Sequence, residues 1–294
     1  MIHTLDLHFL DVQEAIGSFL VETSAGAVLV ESGPYSTYPH LLEALKNKGL
    51  SPADISHVFL THIHFDHAGA AWALAQAGAT ILVHPFGYKH IIQPDRLYES
   101  ARRIYGDDMD RLWGKMEAIA PQQLIAVEDG EEILVGNTVF KAHHTPGHAS
   151  HHIAWQVNDV VFAGDVAGVK IGTGPVVPPC PPPDISVEDW QKSIQKLIDL
   201  KPASLYLTHF DRIPNPEAHL RALEENLLTW ANWIKPHFEQ GTPPDQLTPL
   251  FQDFARKQLE EAGVSLENQD KYEKANPAWM SVAGLLRYWK KKNA

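Results

Sequence analysis

Four times along this chain a short apolar run stops at a histidine or an aspartate. The runs are "VFLT" before His62, "FKAHHTPG" before His148, "VVFAG" before Asp165 and "LYLT" before His209. Runs this short, rich in Val, Leu, Phe and Tyr and bounded by turn residues, read as buried strands rather than helices. Strand ends of α/β proteins are where sites are built, so four such junctions would gather imidazoles and carboxylates at one sheet edge. The densest junction is "LTHIHFDHAG" (60–69), with His62, His64, Asp66 and His67 inside six consecutive positions.

The rest of the chain reads as layers of strand and helix. "GSFLVETSAGAVLVESG" (17–33) predicts a hairpin, "TYPHLLEALKNKG" a helix stopped by Gly49, and 67–78 a helix between strands at 57–61 and 80–84. Residues 94–119 place charged and aromatic residues at helical spacing and predict an inserted helical lid, broken at Gly106. Short strands are expected at 124–127, 132–135, 138–142, 153–157, 160–163 and 204–209. "GVKIGTGPVVPPCPPPDIS" (168–186) is too rich in Gly and Pro for either element and predicts a stiff loop, after which Ser186 opens a helix. Beyond "RIPNPE" the pattern is purely helical, at 216–238, about 244–262 and 277–291. The expected organisation is a catalytic domain over 1–215 and a C-terminal helical subdomain over 216–294.

Composition narrows the partners. A net charge of -12 argues against binding nucleic acid, which needs clustered Lys and Arg. No window approaches the roughly 18 apolar residues of a membrane span, and "MIHTLDLHFLDVQEA" has no basic region followed by an apolar one, so a cytoplasmic protein without membrane contact is expected. A small-molecule substrate is the remaining partner, and the C-terminal helices, with Trp279 and Trp289, offer a surface for a homodimer.

Cys180 is the single cysteine, so an ion must be held by His and Asp. Imidazole and carboxylate suit zinc, manganese or iron, and five His with two Asp are enough for two ions. His62 and His64, two positions apart in an extended loop, project to one side and suit one ion. Asp66 and His67, where the chain turns into a helix, point elsewhere and suit a second. A lone Asp165 suits a bridge.

"THIHFDH", "TPGH", the "GD" at 164–165 and the "TH" at 208–209, in this order over roughly residues 15–212, resemble the metallo-β-lactamase fold superfamily, most nearly its glyoxalase II-like branch. The resemblance implies an αββα sandwich, here with a C-terminal helical subdomain. It implies that His62, His64 and His148 hold one ion, that Asp66, His67 and His209 hold the other, and that Asp165 bridges them. Two divalent ions, zinc first and manganese or iron as alternatives, would lower the pKa of a shared water so that hydroxide attacks a carbonyl, with Asp66 as the catalytic group orienting it. The implied activity is hydrolysis of a small-molecule thioester or ester, with lactones included. Competing readings are a mononuclear iron persulfide dioxygenase, a phosphodiesterase or nuclease, and a non-catalytic metal-binding module.

The chain departs from the family pattern in places. Glu31 stands where many members carry aspartate, and reads as a supporting carboxylate rather than a ligand. "HASHH" (148–152) replaces a second Gly-His pair, which puts His152 in a supporting place and leaves His151 without a derivable role. His143 and His144 read as structural or solvent-facing, and His84 as core or supporting. His3, His8, His40, His57, His90, His219 and His237 read as non-functional. Cys180, in "PPCPPP", reads as part of a shaped loop rather than a nucleophile. Tyr88, Tyr98, Tyr105, Arg102 and Arg103 are substrate contacts from the lid or packing residues, with nothing in the sequence to choose between them.

Overall fold

The computed structural model describes residues 1–294, and its first sheet starts with a strand the sequence pattern does not signal. β1 (Ile2–Asp6) pairs antiparallel with β2 (Gly17–Thr23), which forms the expected hairpin with β3 (Gly26–Val30), Phe19 opposite Val30. β4 (Ile55–Phe59), β5 (Thr80–Val83) and β6 (Leu124–Ala126) continue parallel to β3, giving the order β1-β2-β3-β4-β5-β6. Parallel neighbours need crossovers, which helices supply. The first is α1 (Tyr38–Asn47), with Leu41 and Leu45 buried.

The single helix expected over 67–78 is two pieces, α2 (Phe65–Ala68) and α3 (Ala71–Gln76). The Ala70 amide leaves the helical ladder and donates to Gly33 O at 2.9 Å. Gly69 permits that approach, because a Cβ there would lie 3.0 Å from the Pro34 Cα and 2.4 Å from Phe65 O. Between β5 and β6 run α4 (Pro85–Ile92), α5 (Asp95–Tyr105) and α6 (Met109–Leu112). Gly106, at φ 56°, ends α5 where the sequence places the break. The sequence misses α4 because its N-cap is His84, which accepts from the Phe86 amide, and histidine is not a usual cap.

A second layer lies within the same unit: β7 (Glu132–Val135), β8 (Thr138–His144), β9 (Ile153–Val157) and β10 (Val160–Phe162), an antiparallel meander. Its inner face meets the first sheet through aromatic rings. Phe59 stacks on Phe140 with centroids 4.0 Å apart, Trp155 meets Phe59 edge-on at 5.0 Å, and Phe19 lies 5.3 Å from Phe162. The Trp155 indole satisfies its N–H on Leu60 O at 2.9 Å, so this large ring is buried without an orphaned donor. Two facing sheets, flanking helices and a helical C-terminal segment make the α/β sandwich that the family resemblance implies.

The chain divides into two compact units, Met1–His144 with Ile153–Phe162, and Thr145–His152 with Ala163–Ala294. The second unit holds α7 (Val187–Asp199), the hairpin of β11 (Ser204–Leu207) and β12 (Asp211–Ile213), and the helices α8 (Pro216–Glu239), α9 (Pro244–Glu261), α10 (Leu266–Ala275) and α11 (Ala278–Lys292). Ser186 caps α7 as expected, its hydroxyl accepting from the Asp189 amide. Leu220, Leu223, Leu227, Ile234, Phe251, Val282 and Leu285 are fully buried and form the apolar interior of the helical segment. α10 escapes sequence reading because its ten residues offer one apolar anchor, Tyr272, and no stripe. No helix is long and apolar enough to cross a membrane.

Candidate metal centre

In the first unit the motif loop follows the end of β4 and runs into α2. It is pinned by Ile153 N donating to Thr61 O at 2.7 Å. His64 is the N-cap residue of α2 and Asp66 lies in its first turn, so the turn from strand to helix spreads the ligand candidates. His62 and His67 are fully buried, while His64 and Asp66 are half-buried. His62 Nε2 and His64 Nδ1 are 2.9 Å apart, as the spacing of two predicts for donors facing one point. His67 Nε2 lies 3.6 Å from Asp66 Oδ2. The two pairs are nevertheless neighbours, since the His62 and His67 rings are 4.0 Å apart.

Glu31 organises this loop from below. It follows β3 in the left-handed region, at φ 66°, and its side chain is fully buried. The carboxylate accepts from His67 Nδ1 at 2.9 Å, from the Thr61 amide at 3.2 Å and from the Thr61 hydroxyl. A proton on Nδ1 leaves Nε2 with the lone pair, which is the tautomer a metal ligand requires. Ser32 adds a second tether, its amide and hydroxyl donating to His67 O at 2.8 and 2.9 Å. One ligand atom each from Glu31, His62 and His67 lies within 4.8 Å of the other two.

In the second unit Gly147 sets His148. Gly147 has φ +141°, and a Cβ there would lie 2.3 Å from the Trp190 Cα, so the loop before His148 lies directly on the backbone of α7. Ser186 N to Gly147 O at 2.9 Å and the Ser193 hydroxyl to Pro146 O at 2.6 Å hold it there. His148 Nδ1 donates to Pro179 O at 2.8 Å, which again leaves Nε2 as the lone-pair nitrogen. That nitrogen is 3.3 Å from Asp165 Oδ2, while His209 Nε2 is 3.5 Å from Asp165 Oδ1. One carboxylate with an imidazole at each oxygen has the shape of a bridging ligand.

Asp165 sits in the turn Gly164–Ala167, whose carbonyls are tied on two sides. The Trp190 indole donates to Val166 O at 2.8 Å, and His219 Nε2 to Ala167 O at 2.7 Å. Burial pushes the His219 pKa down to about 4, so this imidazole stays neutral and acts as a fixed donor. The sequence carries no signal for that role, because the contact joins α8 to a turn 52 residues upstream. His62, His67, His148, His209 and Asp165 are each at most 3% exposed. Within each unit taken by itself, the buried imidazoles and carboxylates, with His67 in the first and His148 in the second held as Nδ1–H tautomers, offer nitrogen and oxygen donors that fit a divalent ion such as zinc.

Several other histidines have structural partners. His143 Nε2 meets Gln156 Oε1 at 2.8 Å, His144 Nε2 meets Val127 O at 3.0 Å, and the His84 and His144 rings pack at 4.1 Å. His152 Nδ1 is 2.8 Å from the Thr145 hydroxyl, and its ring is edge-on to His148 at 6.4 Å. Cys180 is fully buried, and burial raises its thiol pKa, so it supplies no thiolate. Two lid residues reach the ligand loop: Tyr98 sets its ring edge-on to Phe65 at 6.1 Å, and Tyr105 feels the Asp66 charge. Burial first, and then the Asp66 carboxylate, raise the Tyr105 phenol pKa.

Comparison with known proteins covers both units. The metallo-beta-lactamase fold-containing protein ST1585 of Sulfurisphaera tokodaii is 33% identical over 159 residues, 53% of this chain and 60% of that protein. The crystal structure of ST1585 superposes with a TM-score of 0.62 at 26% identity, covering 78% of this chain and 85% of the other. The metallo-beta-lactamase family protein TTHA1429 from Thermus thermophilus shares the fold along the whole chain, with a TM-score of 0.66 at 19% identity, covering 94% of that structure. A hydroxyacylglutathione hydrolase from Methylococcus capsulatus is 30% identical over 127 residues, 42% of this chain and 38% of that protein. The chain thus spans about three fifths of the length of the curated relative ST1585 and less of the hydrolase. The model of the metallo-beta-lactamase superfamily matches residues 15–209, a span containing all seven ligand candidates, and the chain belongs to that superfamily.

Proposed function

We propose that the chain is a binuclear metallo-hydrolase that cleaves a small-molecule thioester or ester, lactones included. His62, His64 and His148 would hold one ion and Asp66, His67 and His209 the other, with Asp165 shared between them. The observation that carries this reading is the buried Asp165 carboxylate with His148 and His209 against its two oxygens. When bound, a pair of divalent ions supplies hydroxide at neutral pH and polarises a carbonyl. The chain's own residues orient that chemistry. Glu31 and Pro179 O hold the ligand tautomers of His67 and His148, and the half-buried Asp66 orients the nucleophile. The name of the Methylococcus relative points to an acyl-glutathione thioester, which supports the thioester class.

Metal content by mass spectrometry, followed by thioester, ester, lactone and phosphodiester panels with oxygen uptake recorded in parallel, tests this. Two zinc or manganese ions per chain with acyl cleavage are expected. One iron with oxygen consumption on a persulfide would replace the proposal with a dioxygenase. His148→Ala is expected to lose an ion and cut the rate by roughly 100-fold or more; unchanged metal content and rate would refute the ligand set.

A further inference from the structure

A cavity of about 240 Å³ lies within the helical segment of the second unit, walled by Trp230, Phe251, Leu259 and Tyr272 and by Val177 of the proline-rich loop. We propose that it is a ligand site for a small organic cation, a protonated amine on an aromatic or branched apolar body. This site is separate in residues and chemistry from the metal centre.

Three observations carry the assignment. One side of the lining is apolar and buried, with Trp230, Phe251, Leu259, Tyr272 and Val177 all at most 7% exposed, while the polar side, at Gln252, Arg256 and Asp270, is open to solvent. A space of this volume takes one ring and a short chain, since an apolar cavity of roughly 150 Å³ already accepts benzene. The walls are also fixed. The Trp230 indole is tied to Gln258 Oε1 at 2.9 Å, the Tyr272 hydroxyl to Pro175 O at 2.6 Å, and Asn276 Nδ2 to Pro178 O at 3.2 Å.

The charge at the lining is uneven. Arg256 is offset by Asp253 and by Glu260 at 3.8 Å, and Asp270 pairs with Lys274 at 2.7 Å. Glu273 has no cation of its own. It accepts from the Ala278 amide at 3.3 Å and from the Gln252 side chain, and faces the negative Asp270. Desolvation raises its pKa, the cost of a partly buried carboxylate without a counter-ion. An ammonium group would supply that counter-ion, and aromatic rings such as those of Trp230 and Phe251 in the lining favour a cation or an aromatic body beside them. An anionic ligand of the same shape meets the Glu273 carboxylate and is repelled.

Calorimetric titration of the metal-loaded protein at pH 7.5 with 2-phenylethylamine and, separately, 3-phenylpropionate tests the site. Saturable one-to-one binding of the amine is expected, at least ten-fold tighter than the acid. Glu273→Gln should weaken the amine at least five-fold, and Ala255→Trp, which fills the space from α9, should abolish binding, with both variants folded by circular dichroism. His148→Ala should leave amine affinity unchanged, which separates this site from the metal centre. No saturable amine binding, equal affinity for amine and acid, full affinity in Glu273→Gln, or binding that survives Ala255→Trp would each overturn the proposal.

Discussion

Replacing Glu31 with glutamine isolates the support under His67 from the ligands themselves. The substitution keeps the length and volume of the side chain, so the fully buried pocket is neither emptied nor crowded. It removes the charge and one acceptor. Three donors converge on this carboxylate: His67 Nδ1 at 2.9 Å, the Thr61 amide at 3.2 Å and the Thr61 hydroxyl. A glutamine amide can accept through its oxygen only, and its NH₂ must then face one of those donors. A hydrogen bond to a charged group is worth about 1.5–3 kcal/mol net, and loss of a partner that orients a metal-bound histidine costs about 10–100-fold in metal affinity. The two magnitudes agree, because about 1.4 kcal/mol is a factor of ten. On the binuclear reading proposed above, Glu31→Gln is therefore expected to weaken the ion held by His67 about 10–100-fold. Glu31→Asp, which keeps the charge on a shorter arm, should fall between. The assay is metal content after dialysis against a graded series of chelator concentrations, with thermal melting of the metal-free protein as a check on the fold. Two ions retained at wild-type affinity in Glu31→Gln would refute the claim that this carboxylate orients His67.

Gly147→Ala forces a methyl group within 2.3 Å of the Trp190 Cα at a φ of +141°; a loss of about 3 kcal/mol or more is expected in urea unfolding, and a loss below about 1 kcal/mol would mean the loop moves freely off α7. His219, with its pKa pushed down to about 4 by burial against an ordinary 6.5, rejects a proton that the unfolded chain accepts. Stability should fall as pH drops from 6.5 towards 4, by about 3 kcal/mol in total from this group; His219→Gln, which keeps a donor for Ala167 O, should flatten that part of the profile. Cys180, fully buried with a raised thiol pKa, should resist a disulfide reagent at pH 8 in the native protein and react at once in denaturant; rapid native labelling would contradict its burial.

Local chemistry made much of the fold readable from sequence. The 17–33 hairpin, the Gly106 break and the Ser186 cap are short-range effects, in which neighbouring residues decide the backbone. β1 and α10 were not readable, because each lacks a strong period of its own: β1 is held by pairing with β2, and α10 by the anchoring of Tyr272. The break between α2 and α3 is likewise not local, since it depends on Ala70 finding the Gly33 carbonyl.

The same division runs through the candidate site. Which side chains are available was determined by the sequence, because only imidazoles and carboxylates at strand ends could serve where the single cysteine is buried in a proline-rich loop. The His62 and His64 pairing follows from an extended backbone and needs no partner to be foreseen. What only the tertiary structure decided is the tautomer and aim of His67 and His148 and the anchoring role of His219. Glu31 reaches His67 across 36 positions and Pro179 reaches His148 across 31, and the His219 anchor below Asp165 spans 52. A hydrogen bond between residues that distant exists only after the chain has folded, so no spacing rule in the sequence records it.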